Sequence, residues 1–219
     1  MKKTITLLLA TAGLAVAASD PLDITWDADN KASLQSSLDA ISVVFTFDLS
    51  QLTATGLYEP IKTPIFQWDG TDEYGSVNGG VEHYYLDDPG YSYSNGIEGF
   101  YNSSGSGYKS IIGFTEAIVG YTYGTNQKSK FYLTLIDAQG VETNYEPVEG
   151  GKTRAQLAIT NLTKHTGIGE IEVYDSVLSA DEITSAMKGM AAAPTVPEPT
   201  TATLSLLALA GLAARRRRR

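Results

Sequence analysis

Ser42-Val-Val-Phe-Thr-Phe-Asp48 decides the fold class, because Val43, Phe45 and Phe47 recur at every second position. A period of two places all three on one face of a half-buried strand. The same period returns in Phe131, Leu133 and Leu135, and again in Leu157 and Ile159. Gly and Asn punctuate the intervals in Asn78-Gly79-Gly80, Pro89-Gly90, Ser94-Asn95-Gly96 and Gly105-Ser106-Gly107. These read as turns, since both residues accept the positive φ that tight turns need. Many short strands so punctuated predict an antiparallel sandwich or barrel.

One helix is signalled further on. Ser179 followed three residues later by Glu182 forms a capping box, with Leu178 and Ile183 placed to staple it. Gly189 reads as the helix end, and Ala191 to Thr195, small residues with Pro194, as a linker. The domain therefore ends near Lys188. The stretch Gly167-Ile-Gly-Glu-Ile-Glu-Val-Tyr-Asp-Ser-Val-Leu-Ser-Ala-Asp-Glu-Ile183 resembles the closing strand and short helix of laminin-G-like, concanavalin-A-like jelly rolls. That resemblance implies two packed antiparallel sheets of about six or seven strands each, with a ligand at one rim or on the concave face. Sugar binding is the common use of such domains.

Charge narrows the partners. Seven of the 16 basic residues but only one of the 25 acidic ones lie in the two ends, leaving 9 against 24 between them, about −15. Nucleic acid is excluded as a partner, because phosphates need Lys or Arg to neutralise them; anionic lipids and sulfated glycans are disfavoured on the same ground. Cysteine is absent, which removes disulfides, thiolate catalysis and Cys-based zinc sites. His83 and His165 lie far apart and read as ordinary loop or surface residues. No G-x-S-x-G elbow presents a serine nucleophile.

Eight of the 13 tyrosines, Tyr84, Tyr85, Tyr91, Tyr93, Tyr101, Tyr108, Tyr121 and Tyr123, fall in one stretch beside Asp87, Asp88, Asn95, Glu98 and Asn102. Aromatic faces stack on the C–H faces of sugars while amides and carboxylates take the hydroxyls. Tyr84, Tyr85, Tyr91, Tyr93, Asn95 and Tyr101 are therefore the candidate ligand-binding residues. The competing reading is strand tyrosine packing with its hydroxyl at the surface. No cofactor is expected beyond a structural Ca²⁺, for which Asp69 with Asp72, or Asp87 with Asp88, could supply oxygens. Aspartates bonding their own turns account for the same pattern. Catalysis is not expected; if present, it falls to Glu170 and Glu172, which share a strand face as paired glycosidase carboxylates would.

The ends carry targeting signals. Lys2 and Lys3, the apolar run Ile5 to Val16 and the small residues Ala15, Ala17 and Ala18 read as a secretory leader, expected to be cut by signal peptidase near Ala17 or Ala18; a retained anchor is the rival reading, for which the run is short. At the other end come Pro197-Glu198-Pro199, the apolar run Ala202 to Ala214, and Arg215, Arg216, Arg217, Arg218 and Arg219. Arginines resist passage through hydrocarbon, so the exported chain stalls with its tail transiently in the inner membrane. Residues 200–214 make about 22 Å of helix at ~1.5 Å per residue, short for a core of about 30 Å. In the order of its parts the tail resembles the PEP-CTERM sorting signal, which implies cutting by an exosortase and release to the surface or matrix of a Gram-negative cell.

The chain is thus read as mainly β: a leader (1–18), a two-sheet antiparallel jelly-roll sandwich with one short C-terminal helix (19–188), a linker (189–195) and a sorting tail with a short hydrophobic helix (196–219). Its expected role is a non-catalytic, lectin-like module at the cell surface or in the extracellular matrix, with a neutral glycan or exopolysaccharide as partner. A structural matrix protein without a specific ligand and a jelly-roll glycoside hydrolase are the alternatives.

Overall fold

The computed structural model describes residues 20–52, 61–85, 95–100 and 108–191. Twelve strands are seen among them: Lys31–Leu38 (β1), Ala40–Asp48 (β2), Ile61–Asp72 (β3), Gly75–Tyr85 (β4), Asn95–Phe100 (β5), Lys109–Ser110 (β6), Phe114–Gly124 (β7), Ser129–Asp137 (β8), Glu142–Asn144 (β9), Val148–Gly150 (β10), Leu157–Lys164 (β11) and Ile168–Tyr174 (β12). A helix, Ala180–Ala191 (α1), follows. The first sheet has the order β1-β11-β3-β4-β5-β6; the second runs β10-β8-β7-β2-β12, with β9 also on β8. The neighbours pair antiparallel. This is the mainly β architecture expected from the alternation, in the two-sheet form that the jelly-roll resemblance implied.

The apolar sets read from the sequence face one another across the sandwich. Val43, Phe45, Phe47, Phe131, Leu133, Leu135, Leu157 and Ile159 are all buried in one cluster with Phe66, Trp68, Val119, Tyr121 and Tyr123. A bulge between Ile159 and Asn161 then re-phases β11, so that Leu162 turns inward and Asn161 outward. An extended segment ahead of β1 lends Leu22, Ile24 and Trp26 to the same core. Leu22 donates its N–H to Val173 O at 2.7 Å, so this segment meets β12, which ends the second sheet.

The second sheet is covered on its outer side as well. Val44, Ile118, Tyr132 and Tyr174 pack under Leu178, Ile183, Met187 and Met190 around α1. That double burial explains why β2 is apolar at consecutive positions rather than alternating. Gly120 permits the close approach: a Cβ there would lie 2.9 Å from Ile183. The capping box forms as expected, Ser179 N donating to Glu182 Oε2 at 2.8 Å and Glu182 N to Ser179 Oγ at 3.3 Å.

Three local expectations are corrected. The helix runs through Gly189 to Ala191, because Met190 is buried beneath it and extends the packed face. Asn78-Gly79-Gly80 lies inside β4 and Asn95-Gly96 opens β5, so neither is a turn. Gly79 is there because the Trp68 indole fills the space a Cβ would take, 2.4 Å away, and Gly80 because its φ is +135°. His83, expected in a loop or at the surface, is buried on β4. Pro89-Gly90 and Gly105-Ser106-Gly107 lie outside the described residues.

Candidate functional site

With α1 on the second sheet, no described helix or strand covers the outer face of the first sheet, although Glu82 on that face is buried. Its composition follows from strand alternation. On β4, Val81 and His83 are buried facing the core, so Asn78, Gly80, Glu82 and Tyr84 point the other way. Across the register Asn78 stands opposite Asp69, and Asp69 opposite Asn161. Ser33 Oγ donates to Asn161 Oδ1 at 2.9 Å, and Gln67 Nε2 to Asp69 Oδ1 at 2.8 Å. An open depression of about 350 Å³ lies here, lined by Asp69, Thr71, Ser76, Asn78, Thr160 and Asn161.

About 20 Å further along β4, at roughly 3.4 Å per residue, the face becomes aromatic and charged. Tyr84 meets Tyr108 edge to face, ring centres 6.2 Å apart at 89°. Lys62 stands opposite Tyr84 with its ammonium 5.4 Å from that ring. Glu82 is directly opposite Glu98 on β5. Lys62 Nζ donates to Glu82 Oε1 and, at 3.2 Å, to Glu98 Oε1. The Glu82 side chain is 2% exposed, against 15% for Glu98 and 50% for Lys62. Burial pushes the Glu82 carboxyl up to about 7, Lys62 opposing and Glu98 adding to the shift. Against the opposite pull of burial, the two glutamates hold Lys62 above its ordinary value.

The other candidate residues are divided by the two faces. Tyr85 lies on the inner face with His83, ring centres 6.4 Å apart. Asn95 Oδ1 accepts from His83 Nε2 at 2.6 Å, while Asn95 N donates to the Tyr108 hydroxyl at 2.9 Å. Burial lowers the His83 pKa from its ordinary value, the Asn95 hydrogen bond opposing the shift. Tyr121 and Tyr123 are fully buried core residues. Tyr91, Tyr93, Tyr101, Asp87 and Asp88 lie outside the described residues.

Asp69 and Asp72 each have other employment. Asp69 takes the Gln67 amide; Asp72 Oδ2 pairs with Arg154 Nε at 2.8 Å, and its Oδ1 accepts Tyr74 N at 2.8 Å. Among the described residues no group of three or more His, Asp or Glu could hold a metal ion. Glu170 is exposed on β12, and Glu172 Oε2 accepts the Tyr174 hydroxyl at 2.6 Å. Sequence reasoning singled out Glu98 but missed Lys62 and Glu82. The available signal was a charged residue, Glu82, in the otherwise uncharged run Gly79 to Tyr85.

The two ends of the chain lie outside the described residues, and among those described no helix is long and apolar enough to cross a membrane. Residues 195–219 match the family model described as the PEP-CTERM protein-sorting motif. The chain carries a PEP-CTERM sorting motif. The matched PEP-CTERM span takes in Pro197-Glu198-Pro199 and the arginines Arg215 to Arg219, and it implies export with exosortase processing at the membrane. No curated protein matches the chain. Among solved structures it is similar to Trypanosoma rangeli sialidase in complex with the inhibitor DANA, at 15% identity over 69% of this chain and 23% of that one, TM-score 0.35. A second structure of Trypanosoma rangeli sialidase matches at 13% identity over 75% of this chain and 28% of that one, TM-score 0.35. The PEP-CTERM chain thus spans about a quarter of the length of these structures, and likeness at this level carries no argument about chemistry.

Proposed function

We propose that this exported PEP-CTERM protein displays its β sandwich at the cell surface or in the extracellular matrix and binds neutral carbohydrate there. The observation that supports it is the outer face of the first sheet, where Tyr84 and Tyr108 stand on the same side as the polar row Asn161, Asp69 and Asn78. Partly exposed rings beside the Lys62 ammonium and the Glu98 carboxylate, with the polar row further along the same face, suit a sugar's mixed polarity. Three carboxylates on this face, Asp69, Glu82 and Glu98, within a strongly acidic domain, disfavour anionic glycans. Tyr91, Tyr93 and Tyr101, neighbours of β4 and β5 in sequence, are proposed as further ring contributors.

Binding of the exported protein to immobilised neutral glycans tests this. Tyr84→Ala and Tyr108→Ala are each expected to weaken it about tenfold, on the order of 1.4 kcal/mol. Unchanged affinity in both variants removes the site from this face, and absence of any glycan binding favours the structural matrix role. Signal peptidase cleavage near Ala17 or Ala18 and exosortase cleavage near Pro197-Glu198-Pro199 belong to the same proposal. Mass spectrometry of the exported form is expected to show neither Met1 nor Arg219; a surviving Arg219 rules out tail processing.

A second reading, glycoside hydrolysis, is favoured by Glu82 facing Glu98 rather than by Glu170 and Glu172. Release of reducing ends from a neutral polysaccharide, abolished by Glu98→Gln, would establish it.

A further inference from the structure

Glu82 is the one buried glutamate among the described residues. Its neighbours account for it only while one carboxyl is protonated, when Glu82 and Glu98 share a hydrogen bond. Oε1 takes the Lys62 ammonium, but Oε2 is buried with no hydrogen-bond partner. A buried carboxylate oxygen left unmatched is costly, and a second carboxylate directly across the strand pair adds repulsion. Lys62 serves both glutamates, so a single ammonium faces two acids. A purely structural strand position would be better filled by Thr or Gln.

We propose that Glu82, with Glu98 and Lys62, is the polar centre of the carbohydrate site, Glu82 Oε2 accepting a hydroxyl of a neutral sugar that moves aside the side chains now burying it and seats beside Tyr84 and Tyr108. This deepens, and rests on, the carbohydrate reading above. A hydroxyl fits because Oε2 wants a donor that brings no negative charge. Uronic acids are rejected, since their carboxylates would meet two others across one ammonium. A metal ion is not called for, because Lys62 already occupies the position between the acids. Lys62, half exposed, can also donate to a second sugar oxygen.

The arrangement is sensitive to protons. The titratable groups facing Glu82 among the described residues are Lys62 on β3, Glu98 on β5, Tyr84 on its own strand and Tyr108 ahead of β6. Of these, Glu82 itself changes charge near neutrality. Protonation there converts Oε2 from a charged acceptor into a competitor for the same hydrogen bond, so sugar affinity falls as pH drops.

Calorimetric titration of the exported protein with two probes, cellohexaose and a hexasaccharide of galacturonic acid, between pH 6 and 8 is the test. Wild type is expected to bind the neutral probe at least tenfold more tightly than the uronic one, and severalfold more tightly at pH 8 than at pH 6. Glu82→Gln loses at least tenfold of that affinity and the pH dependence with it, and Glu82→Asp, which keeps the charge but retracts it, loses affinity too. Glu149→Gln, exposed on the second sheet, changes nothing. Full affinity in Glu82→Gln while Tyr84→Ala abolishes binding overturns this inference and leaves the carbohydrate reading standing. Failure of the neutral probe to bind, or preference for the uronic probe, overturns both.

Discussion

Trp68→Ala lowers the stability of the folded domain by about 3–5 kcal/mol, the range for emptying an aromatic site in a close-packed core. Trp68 has no exposure and stacks on Tyr123 of the opposite sheet, ring centres 5.5 Å apart at 18°. It therefore joins the two sheets, and its edge occupies the space left by Gly79. Relaxation cannot refill that volume, because β4 is held on both sides by β3 and β5. Urea unfolding at pH 7 reads the loss. Trp68→Phe keeps the ring contact and removes an indole N–H that has no hydrogen-bond partner, so it costs much less. A loss below about 1 kcal/mol for Trp68→Ala contradicts the packing described.

The same residue shows how far the sequence could be read. Period-two alternation identified the inner faces of β2, β8 and β11, because one buried face per strand leaves that imprint. It was blind where both faces are buried, as at Val44 under α1, and where a bulge shifts the phase, as between Ile159 and Asn161. Gly79 and Gly80 imitated a turn because glycine marks close approach and positive φ as well as chain reversal. The tail was legible throughout, since its order of motif, apolar run and arginines needs no tertiary structure.

The candidate site was read less completely for a related reason. Composition found the tyrosine cluster but not its sidedness: Tyr84 and Tyr85 are adjacent in sequence and on opposite faces. Glu82, Lys62 and Glu98 are 16 to 36 residues apart and meet only through the register of β3, β4 and β5. Glu170 and Glu172 sat two apart and suggested a pair, yet the described face that opposes two carboxylates is on the other sheet.

That opposition has a thermodynamic signature. The Glu82 carboxyl rises from its ordinary 4.5 to about 7 in the folded protein, chiefly through burial. A raised carboxyl pKa means that the folded state holds its proton more tightly than the unfolded chain. The associated stability is fully present below about pH 4.5 and is lost as pH rises through about 7. At about 1.4 kcal/mol per unit, the loss across this window is up to about 3 kcal/mol. His83, held low by burial, acts in the opposite sense, its contribution fading as pH falls through the histidine range. Since His83 is common to both proteins, subtracting wild type from Glu82→Gln isolates the glutamate. The variant is expected to gain on wild type steadily between pH 4.5 and 7.5 in urea unfolding, and to stop gaining above that. A flat difference means that Glu82 ionises as an exposed glutamate does. The expected slope, joined to the loss of sugar binding, is what a functional carboxylate requires: the charge is kept where it weakens the fold because it is aimed at a ligand.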